Sequence, residues 1–75
     1  MNIKILGSGC ANCNRLEQNA RKAVEELGVE ATFEKVTDYV KITSYNVLRT
    51  PALVVDEKVV ISGRVAKPDE IKKYL

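Results

Sequence analysis

Apolar and polar positions change period several times along the chain, and each change marks an element. Ile3, Ile5 and Leu6 make a short apolar run over Asn2 to Leu6, with Lys4 its one charge, which predicts a strand. Gly7, Ser8 and Gly9 interrupt it: glycines here leave room for another backbone to approach the first cysteine, and the plainer alternative, for Gly7 at least, is a simple turn. Leu16, Ala20, Ala23, Val24 and Leu27 then recur at helical spacing, while Arg15, Gln18, Asn19, Lys22 and Glu26 fall mostly elsewhere. The helix from Arg15 to Leu27 can start as early as Cys10, and Gly28 stands in C-cap position behind it. Val29, Ala31 and Phe33 alternate with Glu30, Thr32 and Glu34, the period of a strand with one buried face.

The second half repeats the alternation of elements with shorter pieces. Asp38 is an N-cap residue for a short helix with Tyr39, Ile42 and Tyr45 inward, ending near Asn46, which tolerates the left-handed conformation. Ala52 to Val55 and Val59 to Ile61 are β-prone runs joined by Asp56-Glu57-Lys58, a hairpin, and Ser62-Gly63 ends the second run. Pro68 opens a last helix with Asp69 and Glu70 in its first turn, Lys72 and Lys73 near its end, and Ile71, Tyr74 and Leu75 as its buried side. The predicted order is β-α-β-α-β-β-α, an α/β fold. Its opening strand-helix-strand unit is parallel through a right-handed crossover, and its hairpin is antiparallel.

Seventy-five residues bound this to one domain, 1–75, near the lower size at which a core suffices for folding. A net charge of +2, with lysines and arginines interleaved among ten carboxylates, leaves no footprint for nucleic acid or a membrane surface. No apolar segment approaches the ~20 residues that span a bilayer. Met1 to Leu6 lacks the apolar h-region of a signal peptide, so cytoplasmic residence is expected.

Both cysteines lie in Gly7-Ser8-Gly9-Cys10-Ala11-Asn12-Cys13, between the first strand and the first helix. Spacing of i and i+3 at a helix start brings the sulfurs onto one face, close enough to bridge. Cys13, three residues before Leu16, points inward; Cys10 lies at the mouth, beside unpaired amides that favour a thiolate. A bridge closing so short a loop contributes little as a staple, about 2 kcal/mol in the chain-entropy model, so reversible chemistry is the better reading of the pair.

These features together resemble the thioredoxin superfamily, in particular its small glutaredoxin-sized redox-active disulfide proteins. The resemblance covers nearly the whole chain: Cys10-Ala11-Asn12-Cys13 matches the CxxC at the start of the first retained helix, and Thr50-Pro51 the residue and cis-proline that open the hairpin. Tyr45-Asn46-Val47 is similar to the family's tyrosine-glycine-aliphatic helix exit, with Asn46 for glycine, and Gly63 falls at a family glycine before the last helix. The resemblance implies a four-stranded mixed sheet with three helices and no cofactor. It also implies a cis bond at Pro51 that sets Thr50 beside the cysteines, where an extended substrate can pair with it. Cys10 is then the nucleophile and Cys13 the resolving thiol, with Thr50, Pro51, Ala11, Asn12 and Gly63 against substrate. Partners would be disulfide-containing proteins and an upstream disulfide reductase, acting on a monomer.

The departures are equally specific. No tryptophan precedes Cys10, Ala11-Asn12 replaces the common glycine-proline, and Ser62-Gly63-Arg64 only partly echoes a glutathione-holding pattern. Lys4 stands about where thioredoxins carry a buried carboxylate, leaving proton transfer from the second cysteine to water. Two other readings fit a CxxC near residue ten: a Cu(I)-transfer module, since soft thiolates suit that ion, and a thioredoxin-like adaptor without turnover. Thr50-Pro51 and the absence of a methionine before the motif argue against copper, and zinc lacks its usual four Cys or His ligands.

Overall fold

The computed structural model describes every residue except Ser8, Cys10 and Leu48. Its elements run β1 (Asn2–Leu6), α1 (Ala11–Leu27), β2 (Thr32–Val36), α2 (Tyr39–Ser44), β3 (Ala52–Val55), β4 (Lys58–Ser62) and α3 (Pro68–Lys72). The strands form one sheet in the order β2-β1-β3-β4, with β1 parallel to β2 and antiparallel to β3, and β3 antiparallel to β4. This is the thioredoxin-like topology expected from the sequence, a mixed four-stranded sheet with three helices.

Two cores follow from the two faces of the sheet. On one, α1 and α3 cover Ile3, Ile5, Leu53, Val55 and Ile61 with Leu16, Ala20, Ala23 and Ile71. On the other, Ile42 of the short α2 joins Leu6, Val36, Val47, Ala52 and Val54. A central strand covered on both faces needs apolar residues at every position, and β3 is buried throughout. β1, its neighbour, keeps one charge: Lys4 points to the α2 side and reaches the sheet's end, where Nζ donates to Tyr45 Oη and Glu57 Oε1, both at 2.8 Å.

Several expected details change. β2 pairs with β1 from Thr32 opposite Asn2 to Val36 opposite Leu6, so the strand begins later than the Val29–Phe33 alternation implies. Ala31 packs against the core from the preceding connection instead, where Val29 is half-buried. Asp56 and Glu57 alone make the hairpin turn, both with positive φ (48° and 70°), and Lys58 already belongs to β4. Tyr39 is exposed, because a helix of six residues covers its small core with Ile42 only. Tyr74 is exposed because α3 ends at Lys72, before its period can carry that ring inward. Leu27 is exposed for a length reason. Seventeen helical residues run roughly 25 Å, whereas a five-residue strand spans roughly 17 Å, so the last turn of α1 passes beyond the sheet.

Candidate active site

The site is assembled where β1 ends, α1 begins and the chain enters β3. Cys13, in the first turn of α1, is 4% exposed and directed at the sheet, in line with its position three residues before buried Leu16. Its sulfur occupies space that a side chain on Gly7 would fill: a β-carbon built there would lie 2.2 Å from Cys13 Sγ and 3.8 Å from Thr50 Cβ. Gly7 is therefore no plain turn residue. It lets the cysteine of α1 and the threonine before β3 approach the same point of the backbone. The Gly7 amide also donates to Val36 O at 3.0 Å, which continues the β1–β2 ladder by one bond and holds this glycine in place.

The Thr50-Pro51 bond is cis, and Pro51 is buried while Thr50 is exposed. Pro51 cannot donate a ladder bond, and it sits at the mouth of β3, where none is needed. Its carbonyl is used: Gly63 N donates to Pro51 O at 2.9 Å. Gly63 has φ 77°, and a β-carbon on it would come within 3.1 Å of Arg49 Cβ, so the Arg49 stem lies across this glycine. Thr50, Pro51, Gly63 and Cys13 thus belong to one neighbourhood. Ala11 and Asn12 are exposed on the first turn of α1. Cys10, expected as the nucleophile, lies outside the described residues, as does its distance to Cys13.

Charges around the site are tied in pairs. On the α1 side, Lys35 of β2 donates to Asn14 Oδ1 at 3.4 Å and bridges Glu17 Oε1 at 3.0 Å, while Arg21 bonds Glu17 Oε2 at 2.9 Å. Arg21 also lies over the Phe33 ring, 4.4 Å from its centroid. Burial alone would push the Glu17 carboxyl up, but the hydrogen bonds from Lys35 and Arg21 outweigh it and hold the group below its usual range. On the opposite face, hydrogen bonds to Glu57 and then Tyr45 raise the Lys4 ammonium well above the ordinary lysine range, and the same contacts depress Glu57. Where the resemblance implies a carboxylate, the chain has a fixed cation bound to its own carboxylate.

Lys35 is a residue sequence reasoning did not single out, and Gly7 was not recognised there as the seat of Cys13. Phe33 and Lys35 share a face of β2, so the strand period points Lys35 at α1, but only the pairing with β1 reveals that α1 begins there.

A mixed sheet of this order, with a buried cysteine in the first helical turn beside a cis-proline entering the hairpin, defines the class of thiol-based redox folds. The chain belongs to the thioredoxin family: residues 1–75 match its thioredoxin domain. It is 51% identical over 75 residues to a thioredoxin of Methanothermobacter thermautotrophicus, covering all of this chain and 97% of that one. It is 42% identical over 73 residues to a thioredoxin of Methanocaldococcus jannaschii, covering 97% of this chain and 84% of the relative.

Proposed function

We propose that this protein is a dithiol-disulfide exchange enzyme that reduces protein disulfides through Cys10 and Cys13. The observation that carries the reading is the packing of Cys13 Sγ against Gly7, with Thr50 on the same glycine and a cis bond at Pro51. It supports a buried second sulfur behind an exposed docking edge. Cys10, immediately before the first residue of α1, attacks a substrate disulfide as a thiolate favoured by the helix amides. One substrate sulfur leaves as a thiolate and takes up a proton, and the other is held to Cys10 as a mixed disulfide. Cys13, after losing its proton to water, attacks Cys10 Sγ. The Cys10–Cys13 bond forms, the mixed disulfide breaks, and its electron pair leaves with the second substrate sulfur.

The substrate lies extended along Thr50, with Ala11, Asn12, Pro51 and Gly63 around it, and an upstream dithiol reductase returns the enzyme to its reduced form. This cycle suits a reducing, cytoplasmic setting, and one domain acting as a monomer suffices for it. Alkylation with iodoacetamide across a pH series tests the assignment. Cys10 should react with a midpoint below pH 8 and Cys13 slowly at every pH. Equally sluggish reaction of both thiols would overturn it.

A further inference from the structure

Two arginines flank Gly63, and they differ in what holds them. Arg64, next in the chain, is held by both carboxylate oxygens of Glu70. Arg49 comes from the other side, one residue before Thr50. A β-carbon built on Gly63 would lie 3.1 Å from Arg49 Cβ, 3.4 Å from Cδ and 3.8 Å from Cγ, so three carbons of the stem lie along this glycine. Gly63 N is already committed to Pro51 O. A segment extended along Thr50 therefore meets Arg49 where a bare glycine was expected. Arg49 is exposed and takes part in no ion pair among the described residues.

The carboxylates that could answer it from within the chain are engaged or remote. At this end of the sheet Leu6 pairs with Ala52 and Val36. Here Glu17 is bound by Lys35 and Arg21, Asp38 caps α2 through Val40 N, and Glu70 is bound by Arg64. Asp56 and Glu57 turn the hairpin at the opposite end, where Val55 pairs with Ile3, and Glu30 lies there too, shortly before Thr32 pairs with Asn2. Arg15, two residues after Cys13, is exposed and likewise outside every ion pair among the described residues. The edge beside the buried sulfur thus presents cations whose counter-charge must come from outside.

We propose that Arg49 is a specificity-determining residue whose guanidinium takes a carboxylate of the segment lying along Thr50, so that the preferred partner is a protein disulfide flanked by aspartate or glutamate. The inference rests on the exchange reading and extends it to the class of substrate. A planar fork of N–H donors matches the two oxygens of a carboxylate, and a stem already laid along Gly63 loses little rotamer freedom in using it. A strand advances roughly 3.3 Å per residue and Arg49 adjoins the residue on which the segment pairs, so the carboxylate belongs within about two residues of the reacting cysteine. Arg15 adds attraction at longer range.

Two synthetic peptides with one internal disulfide test this, identical except that one carries Glu and the other Gln on either side of each cysteine. Mixed with the reduced protein, the peptide disulfide takes up two electrons and two protons as the protein dithiol becomes a disulfide. Loss of protein thiols gives the rate, divided by the rate of dithiothreitol on the same peptide. Wild type should favour the Glu peptide about tenfold, the order of a hydrogen bond to a charged group. Arg49→Gln, which keeps the stem carbons over Gly63, should bring the two rates within about twofold. Lys58→Gln removes the same charge at the hairpin end of the sheet and should leave the ratio unchanged. Binding is read apart from chemistry in Cys10→Ser/Cys13→Ser protein, by amide chemical shifts during titration with the same peptides. There the Glu peptide should bind about tenfold more tightly and move Thr50 and Gly63, and Arg49→Gln should abolish the difference. Equal binding of the two peptides, or a preference that survives Arg49→Gln, overturns the proposal. Unequal binding without thiol oxidation overturns the exchange reading alone.

Discussion

Gly7→Ala is the smallest change that tests how the site is packed. The added methyl would meet the sulfur of Cys13, which is buried and has only one short side-chain bond to turn about. Either the first turn of α1 or the strand end must shift. Overpacking of this kind costs about 1–3 kcal/mol, so urea unfolding of Gly7→Ala should give a midpoint well below wild type. An unchanged midpoint would mean that the sulfur does not rest there. The sequence does not announce this constraint. A glycine after a strand is ordinary punctuation, and only the return of α1 across β1 turns that position into the seat of a cysteine. The same holds for Lys35, an unremarkable charge in an edge strand until the register with Ile5 sets it beside the start of α1.

At the scale of elements, legibility tracks helix and strand length. α1 has seventeen residues, enough for its apolar stripe of Leu16, Ala20 and Ala23 to identify the buried face from spacing alone. Its final residue escapes the rule only because the helix outruns the sheet. α2 is the opposite case. Six residues give too few turns for a stripe, and what marks the helix is its cap: Asp38 accepts from Val40 N at 2.9 Å, and Asn46 closes the turn beyond with φ 61°. Such a helix depends on its cap more than a long one does, so Asp38→Ala should cost about 1 kcal/mol. Amide exchange should quicken over Tyr39–Ser44 while α1 stays protected. Uniform loss of protection in both helices would contradict this division. β4 carries a bulge no pattern foretells: Leu53 and Val54 pair with Ile61 and Val59, leaving Val60 as the extra residue.

For the molecule as a whole, the order of elements was readable because it rests on local chemistry: period, cap and turn. The cis bond at Pro51 was readable only through resemblance, since an X-Pro dipeptide alone favours trans. What local chemistry cannot carry is convergence, namely that β1, α1, β2 and the entry to β3 meet at one glycine. That convergence is also what the functional account needs, for it sets a buried sulfur behind an exposed edge. The most direct measurement is capture of the exchange intermediate. A Cys13→Ser variant, incubated with a disulfide-bonded protein and examined by mass spectrometry, should accumulate a covalent adduct on Cys10 that releases substrate on adding dithiothreitol. Cys10→Ser should form almost none. Equal adducts on the two variants, or none on either, would contradict the account.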